Sequence, residues 1–412
     1  MSLRHFYLKS THCWFNCHIF LQFPRQSFHR NYWKSTENDF AYSAVFKNRS
    51  TKHGISTVLS TDEAELKDLF VTSSSVKSNP NAETSCLQLT SFSDEDLVEA
   101  VKCLVQQNDM NSALYHRNCT KLDQECLSRL PRWEWKISCR VLQALYSLKL
   151  FNQFDFPKKV MSHYSLQISN MNAQQLVEFS FFLNLNRCFP AELNAKEFES
   201  QVCLLWNDFS VNDIGVISMA FFKCQKAISD TALLEQLIST VKDNAATIKE
   251  ITLSTVLKLI RKSNVDASKS LTSITLFDAF IDQIPRLNTK AIIQLVLVAS
   301  TLNYFHHPTL EKAAQIFTKE MSTIRLKDLE RFALSLYFSG FRSPTTDQFW
   351  SQVEIELVKS ERQAEIRAYS RSLISLLVYF VTLGRYPTEL FRTAFCPKNI
   401  EKTLSIVSLL NY

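Results

Sequence analysis

Only four glycines, Gly54, Gly215, Gly340 and Gly384, occur in 412 residues, and no two are close enough to form GxG. Phosphate-binding loops use glycine so that backbone amides can approach an anion. A P-loop, a dinucleotide fingerprint and a kinase glycine loop are therefore excluded. All-β folds, which need many tight turns, are disfavoured for the same reason. What remains is a chain built mainly of helices.

Helical periodicity is the positive counterpart. Leu329, Phe332, Ala333, Leu336, Tyr337 and Gly340 fall at i, i+3, i+4, i+7, i+8 and i+11, one apolar face of a 3.6-residue helix. The start of that pattern recurs at Leu295–Leu302, Leu373–Phe380 and Ile217–Cys224. Weaker copies lie at Leu142–Leu148, Leu176–Leu183 and Val256–Ser263. Five of the seven are followed by aromatics and then a proline: Pro157, Pro190, Pro308, Pro344 and Pro387. Proline cannot continue a helix, so each marks a stop. A more charged helix follows, as at Thr309–Thr318 and Thr346–Lys359. The period, roughly 33–45 residues, fits two helices and a turn. The expected fold is all-α, a helical-hairpin repeat array of the HEAT or PPR type. Such an array escapes the size limit of a single core, because each unit packs only on its neighbours.

Charge divides the chain. Residues 1–34 carry Arg4, Lys9, Arg25, Arg30 and Lys34 and no acid, a net of +5. Residues 35–285 sum to −4 and residues 286–412 to +5. The acid-free start has the composition of a mitochondrial presequence, so 1–34 reads as a targeting leader. Residues 35–90, rich in Ser, Thr, Asn and Lys, read as a disordered linker. Residues 91–412 read as the repeat domain, with clear repeats from about 130 and Ser93 as the first N-cap. Leu404–Tyr412 looks like a further helix with no polar cap after it, as if the sequence stops early. No apolar run approaches the ~20 residues of a membrane helix.

Eleven cysteines without a CxxC argue against a disulfide framework or a zinc ribbon. Cys139, Cys203 and Cys224 sit among apolar residues and read as small buried hydrophobes. His12, Cys13, Cys17 and His18 cluster only within the leader. Asp208-Phe209-Ser210 lacks the glycine of a kinase DFG, and His306-His307 reads as a helix cap or turn. No catalytic residue, metal site, cofactor or small-molecule substrate is expected.

Two stretches carry a resemblance. Leu326-Lys327-Asp328-Leu329-Glu330-Arg331-Phe332-Ala333-Leu334-Ser335-Leu336 with Gly340-Phe341 is one, and Leu295–Tyr304 is the other. They resemble the helical region of the FAST kinase domain-containing proteins of mitochondria, over about residues 130–412. The part around 286–400 resembles their first FAST motif. The resemblance implies mitochondrial RNA processing and stability, a matrix location and RNA-granule partners. The family's second FAST motif and RAP domain have no counterpart before Tyr412, so an activity residing there is not expected of these residues.

The expected function is non-catalytic binding of single-stranded mitochondrial RNA on a helical wall. The candidate RNA-binding residues are Lys290, Arg325, Lys327, Arg331, Arg367, Arg371 and Arg385. Arg367 and Arg371, four apart, are expected to share a helical face. The rival readings are a matrix protein–protein scaffold and an RNA-processing enzyme whose catalytic domain is absent.

Overall fold

The computed structural model describes residues 31–47, 89–103, 113–263 and 271–395. The leader cluster around Cys13, most of the linker and Leu404–Tyr412 lie outside them. By contacts the chain divides into two units, 1–40 and 41–412. Its described residues are helical throughout, without a strand.

The first helix, α1 (Asn31–Tyr42), ends in a π-helical turn at Ser43–Lys47. Next come α2 (Asp94–Cys103), α3 (Ala113–Arg129), α4 (Trp135–Ser147), α5 (Phe156–Ser165), α6 (Ala173–Asn186) and α7 (Ala195–Leu204). They are followed by α8 (Val211–Lys223), α9 (Thr231–Asp243), α10 (Glu250–Lys262), α11 (Leu271–Phe280), α12 (Thr289–Thr301) and α13 (His307–Lys319). The last are α14 (Leu326–Ser339), α15 (Pro344–Leu357), α16 (Gln363–Ala368), α17 (Ser370–Thr382) and α18 (Thr388–Ala394).

Helices α2, α4, α6, α8, α10, α12, α14 and α17 pack each on the next, a continuous layer A. The helices between them form layer B, where α3 packs on α5, α9 on α11 and α13 on α15. The seven apolar patterns of the sequence are α4, α6, α8, α10, α12, α14 and α17. The fold is therefore the all-α repeat array that periodicity and glycine scarcity predict. Ala41 and Val45 are buried, so 41–47 belongs to the core and not to the linker.

Layer A has its own punctuation. Lys149, Arg187, Gln225, Asn303, Gly340 and Gly384 follow the ends of α4, α6, α8, α12, α14 and α17, all with φ between 51 and 75°. They recur at steps of 38, 38, 78, 37 and 44 residues. The left-handed turn lets the next amide bond back five residues, as Leu150 N does to Leu145 O at 2.8 Å. The helix stop is thus made by this residue, and the proline plays a different part. Pro157, Pro308 and Pro344 stand in the first turn of α5, α13 and α15, where no amide is missed. The aromatics before them are core plugs at Phe154, Phe156 and Phe189, whereas Tyr386 is exposed. Four of the six left-handed residues carry a Cβ, which is strained there. Lys149→Gly removes that strain at an exposed site whose side chain makes no hydrogen bond or salt bridge. It should raise stability by about 1 kcal/mol in urea denaturation.

Two devices join successive units. An acid on one B helix caps the start of the next. Asp123 of α3 accepts the Asp155 and Phe156 amides at 2.9 Å, and Glu199 of α7 accepts the Ser229 and Asp230 amides at 3.0 and 2.9 Å. Glu311 bonds Ser343 before α15, and Asp278 of α11 pairs with His306 at 3.2 Å. His306 stands at the N-cap position of α13, but its side chain caps no backbone amide and instead bonds the Thr309 hydroxyl at 2.8 Å.

The second device is an arginine at the B-to-A connection, which donates to two carbonyls of the previous unit's connection. Arg129 reaches Leu89 O and Phe92 O, Arg286 reaches Ala245 O and Ile248 O, and Arg362 reaches Met321 O and Ile324 O. In each case Nε is held by Glu125, Gln283 or Glu356 of its own unit. Gly215 marks the close approach of α8 and α10, since a Cβ there would lie 2.9 Å from Thr252 Cγ2.

Candidate nucleic-acid interface

Each A helix turns one side toward layer B and its flanks toward its neighbours. The fourth side, at helix positions 2, 5–6, 9 and 12–13, faces away from layer B. On α10 it carries Ile251, Ser254, Lys258 and Arg261. On α14 it carries Lys327, Glu330, Arg331, Leu334 and Phe338, all exposed or half-buried. On α6 this face is already covered. Tyr42 packs on Tyr146 and Phe181 with ring centroids 5.1 and 5.9 Å apart, and Phe46 packs on Phe181 and Phe182 at 5.5 and 6.0 Å. The Ser43–Lys47 turn also touches α8. From α10 to α17 the face is basic.

Lys290, Lys327 and Arg371 occupy the same place, the second residue of α12, α14 and α17, and all three are exposed. Arg331 follows Lys327 by one turn, with Nη1 3.6 Å from Asp328 Oδ1. Arg325, at the N-cap of α14, donates Nε to the other oxygen of the buried Asp328 at 2.6 Å. These five therefore gather around the starts of three adjacent A helices.

Arg367 and Arg371 do not share a helix. Tyr369, with φ −128° and ψ 46°, separates α16 from α17, so the four-residue spacing carries no common face. Arg385 turns the other way, to Asp347 and Ser351 of α15 in layer B, at 3.2 and 3.0 Å.

The structure adds residues that sequence reading missed. Arg261 of α10 and Arg331 of α14 lie near enough for each to feel the other's charge, although α12 stands between their helices. Burial, and then Arg331, pushes the Arg261 guanidinium down to about 10. Burial likewise depresses the Lys327 ammonium, with Arg331 and Arg325 adding to the effect. Neither Arg261 nor Lys327 makes a hydrogen bond or a salt bridge. Two acids lie among them, Asp328, already paired with Arg325 and Arg331, and Glu330. Glu330 is raised by burial, against the opposing pull of Arg331, a hydrogen bond from Tyr379 at 3.4 Å, Lys327 and Arg371. Arg261 escaped sequence reading because the basic third was counted from 286. Its helical spacing from Lys258 was the available signal.

The chemistry on offer is anion binding. Among the described residues no group of His, Cys, Asp or Glu could hold a metal, and no helix is long and apolar enough to cross a membrane. Burial raises the thiols of Cys126, Cys139 and Cys224, the last to about 12, which suits packed hydrophobes and not nucleophiles.

No protein-family model matches the chain. Mouse (Mus musculus) FAST kinase domain-containing protein 5, mitochondrial, is 22% identical over 242 residues. The match spans 59% of this chain. The chain is thus similar, at a distance, to a FAST kinase domain-containing protein. It matches 31% of the mouse protein's length, so the helical likeness speaks for under a third of that relative.

Proposed function

We propose that the chain binds single-stranded mitochondrial RNA without catalysis, along the outward face of α10, α12, α14 and α17, and supports transcript processing or stability in the matrix. The observation that carries this reading is the pair Arg261 and Lys327. Arg261 is half-buried and Lys327 exposed, neither makes a salt bridge, and the cations around each outweigh the pull of Asp328 and Glu330 on Lys327. Shielded charge without a counter-charge is costly and is relieved by an anion. A phosphate backbone supplies a row of them, matching the row of second-position cations Lys290, Lys327 and Arg371. The distant relative's mitochondrial designation supports the compartment.

Titration of the 412-residue chain with a labelled single strand at rising salt tests this. Neutralising three or four phosphates predicts a slope of log K against log salt of about −2 to −3. Absence of binding at low salt overturns the proposal. A partner captured equally well after ribonuclease treatment would select the protein-scaffold reading instead.

A further inference from the structure

The deepest point of the basic face is on α12. Its outward stripe is Lys290, Gln294, Leu297 and Thr301, at steps of four, three and four residues. Lys290 is exposed and Thr301 half-buried, while Gln294 and Leu297 between them are 6 and 9% exposed. The stripe is thus the floor of a groove, open at its ends and shielded in the middle. Arg261 stands on α10 and Arg331 on α14, the helices that pack on either side of α12, and the charge of Arg331 reaches Arg261. Lys258 stands further along α10, its Nζ 5.4 Å from the centre of the Phe222 ring.

Gln294 Oε1 is buried there and has no hydrogen-bond partner. A shielded polar atom left unmade costs about 1–3 kcal/mol, and a chain concerned only with stability would place an apolar residue at this position. An amide offers an acceptor and two donors in one plane, the fork that pairs with the edge of a nucleobase. A glutamine on the helix between two arginine-bearing helices is therefore a different device from a plain anion trap. The arginines address phosphate, which carries no sequence information, and the amide addresses a base edge, which does.

We propose that Gln294 reads one base of the bound strand at a fixed point in the groove, with Arg261 and Arg331 on the phosphates that flank it. This rests on the RNA-binding reading above. It makes the chain selective at that point, where a charged stripe alone would accept any strand.

The test uses the full 412-residue chain, its Gln294→Met variant and its Gln294→Leu variant. Labelled oligo-A, oligo-C, oligo-U and alternating GU strands of equal length are titrated at one salt concentration. A good base contact discriminates by about 1–3 kcal/mol, so the native chain should prefer one strand at least about fivefold. Both variants should bind all four strands within about twofold of the native chain's weakest strand. A thermal melt verifies that both remain folded, and the loss of an orphaned atom should leave the midpoint unchanged or higher. Equal binding of all four strands by the native chain overturns the inference, and so does a preference that survives in the variants. Either result leaves the RNA-binding reading standing. Failure of the native chain to bind any strand removes both.

Discussion

Replacing Arg362 with methionine should lower the stability of the array by about 3–5 kcal/mol, the usual cost of breaking a buried ion pair from one side. Arg362 is 7% exposed and satisfies four acceptors at once. Its Nη atoms donate to Met321 O and Ile324 O at 2.6 and 2.8 Å, and Nε and Nη1 reach Glu356 and Glu365 at 2.9 and 2.8 Å. Methionine fills much of the volume and supplies no donor. Two connector carbonyls and the buried Glu356 would lose their partners together. Burial alone raises the Glu356 carboxyl, but the bonds from Lys359 and Arg362 outweigh it and hold the group below its ordinary value. A depressed carboxylate contributes stability above its unfolded pKa and loses it as pH falls through the folded one. With Arg362 gone that contribution largely disappears, so the deficit is greatest near neutral pH and narrows in acid. Urea denaturation at neutral and mildly acidic pH measures both. In a repeat array the loss falls on one boundary. Hydrogen exchange should therefore quicken first across 321–365. A destabilisation under 1 kcal/mol would show that the arginine connection is incidental.

The same arginine illustrates why the sequence disclosed the helices more fully than their joints. An apolar stripe at 3.6-residue spacing is a local property, and seven of the eight A helices could be read from it. Arg129, Arg286 and Arg362 differ in their surroundings, lying at the last residue of a helix, after Pro285 and after Glu361. Their common role appears only when carbonyls about 38 residues earlier are brought beside them. The left-handed stops were hidden for a related reason. Glycine is their usual signal, and Lys149, Arg187, Gln225 and Asn303 bear none of it. On the basic face, Lys327, Arg331 and Arg371 were legible from equivalent positions in adjacent units. Arg385 was not, because a long side chain after a left-handed glycine can turn to either layer. Gln294 was invisible, since one amide in an apolar helix gives no sequence signal until its burial and its missing partner are seen.

Neutralising the groove gives the second large effect, and its value lies in two quantities moving in opposite directions. The variant Arg261→Gln, Lys327→Gln, Arg331→Gln removes three phosphate contacts and should weaken binding of single-stranded RNA by about 100-fold at low salt, with a shallower salt slope. Its thermal midpoint should not fall, and a rise of about 1–3 °C is expected. The reason is the state of Arg261 and Lys327 without ligand. Both are depressed by burial and by neighbouring cations. A cation with a lowered folded pKa opposes folding at every pH below that value, and the opposition is relieved only as pH rises through it. For Arg261 the relevant window begins at about 10, so at neutral pH the penalty is fully present. Removing charge from this face therefore relieves strain in the free chain while it abolishes the attraction for the strand. Arg331 moderates the gain, because its pairing with Asp328 at 3.6 Å is lost as well. A basic face retained for solubility or for packing would not behave so. In that case the variant would melt earlier or would bind RNA as tightly as before. Either outcome would move the function away from this groove.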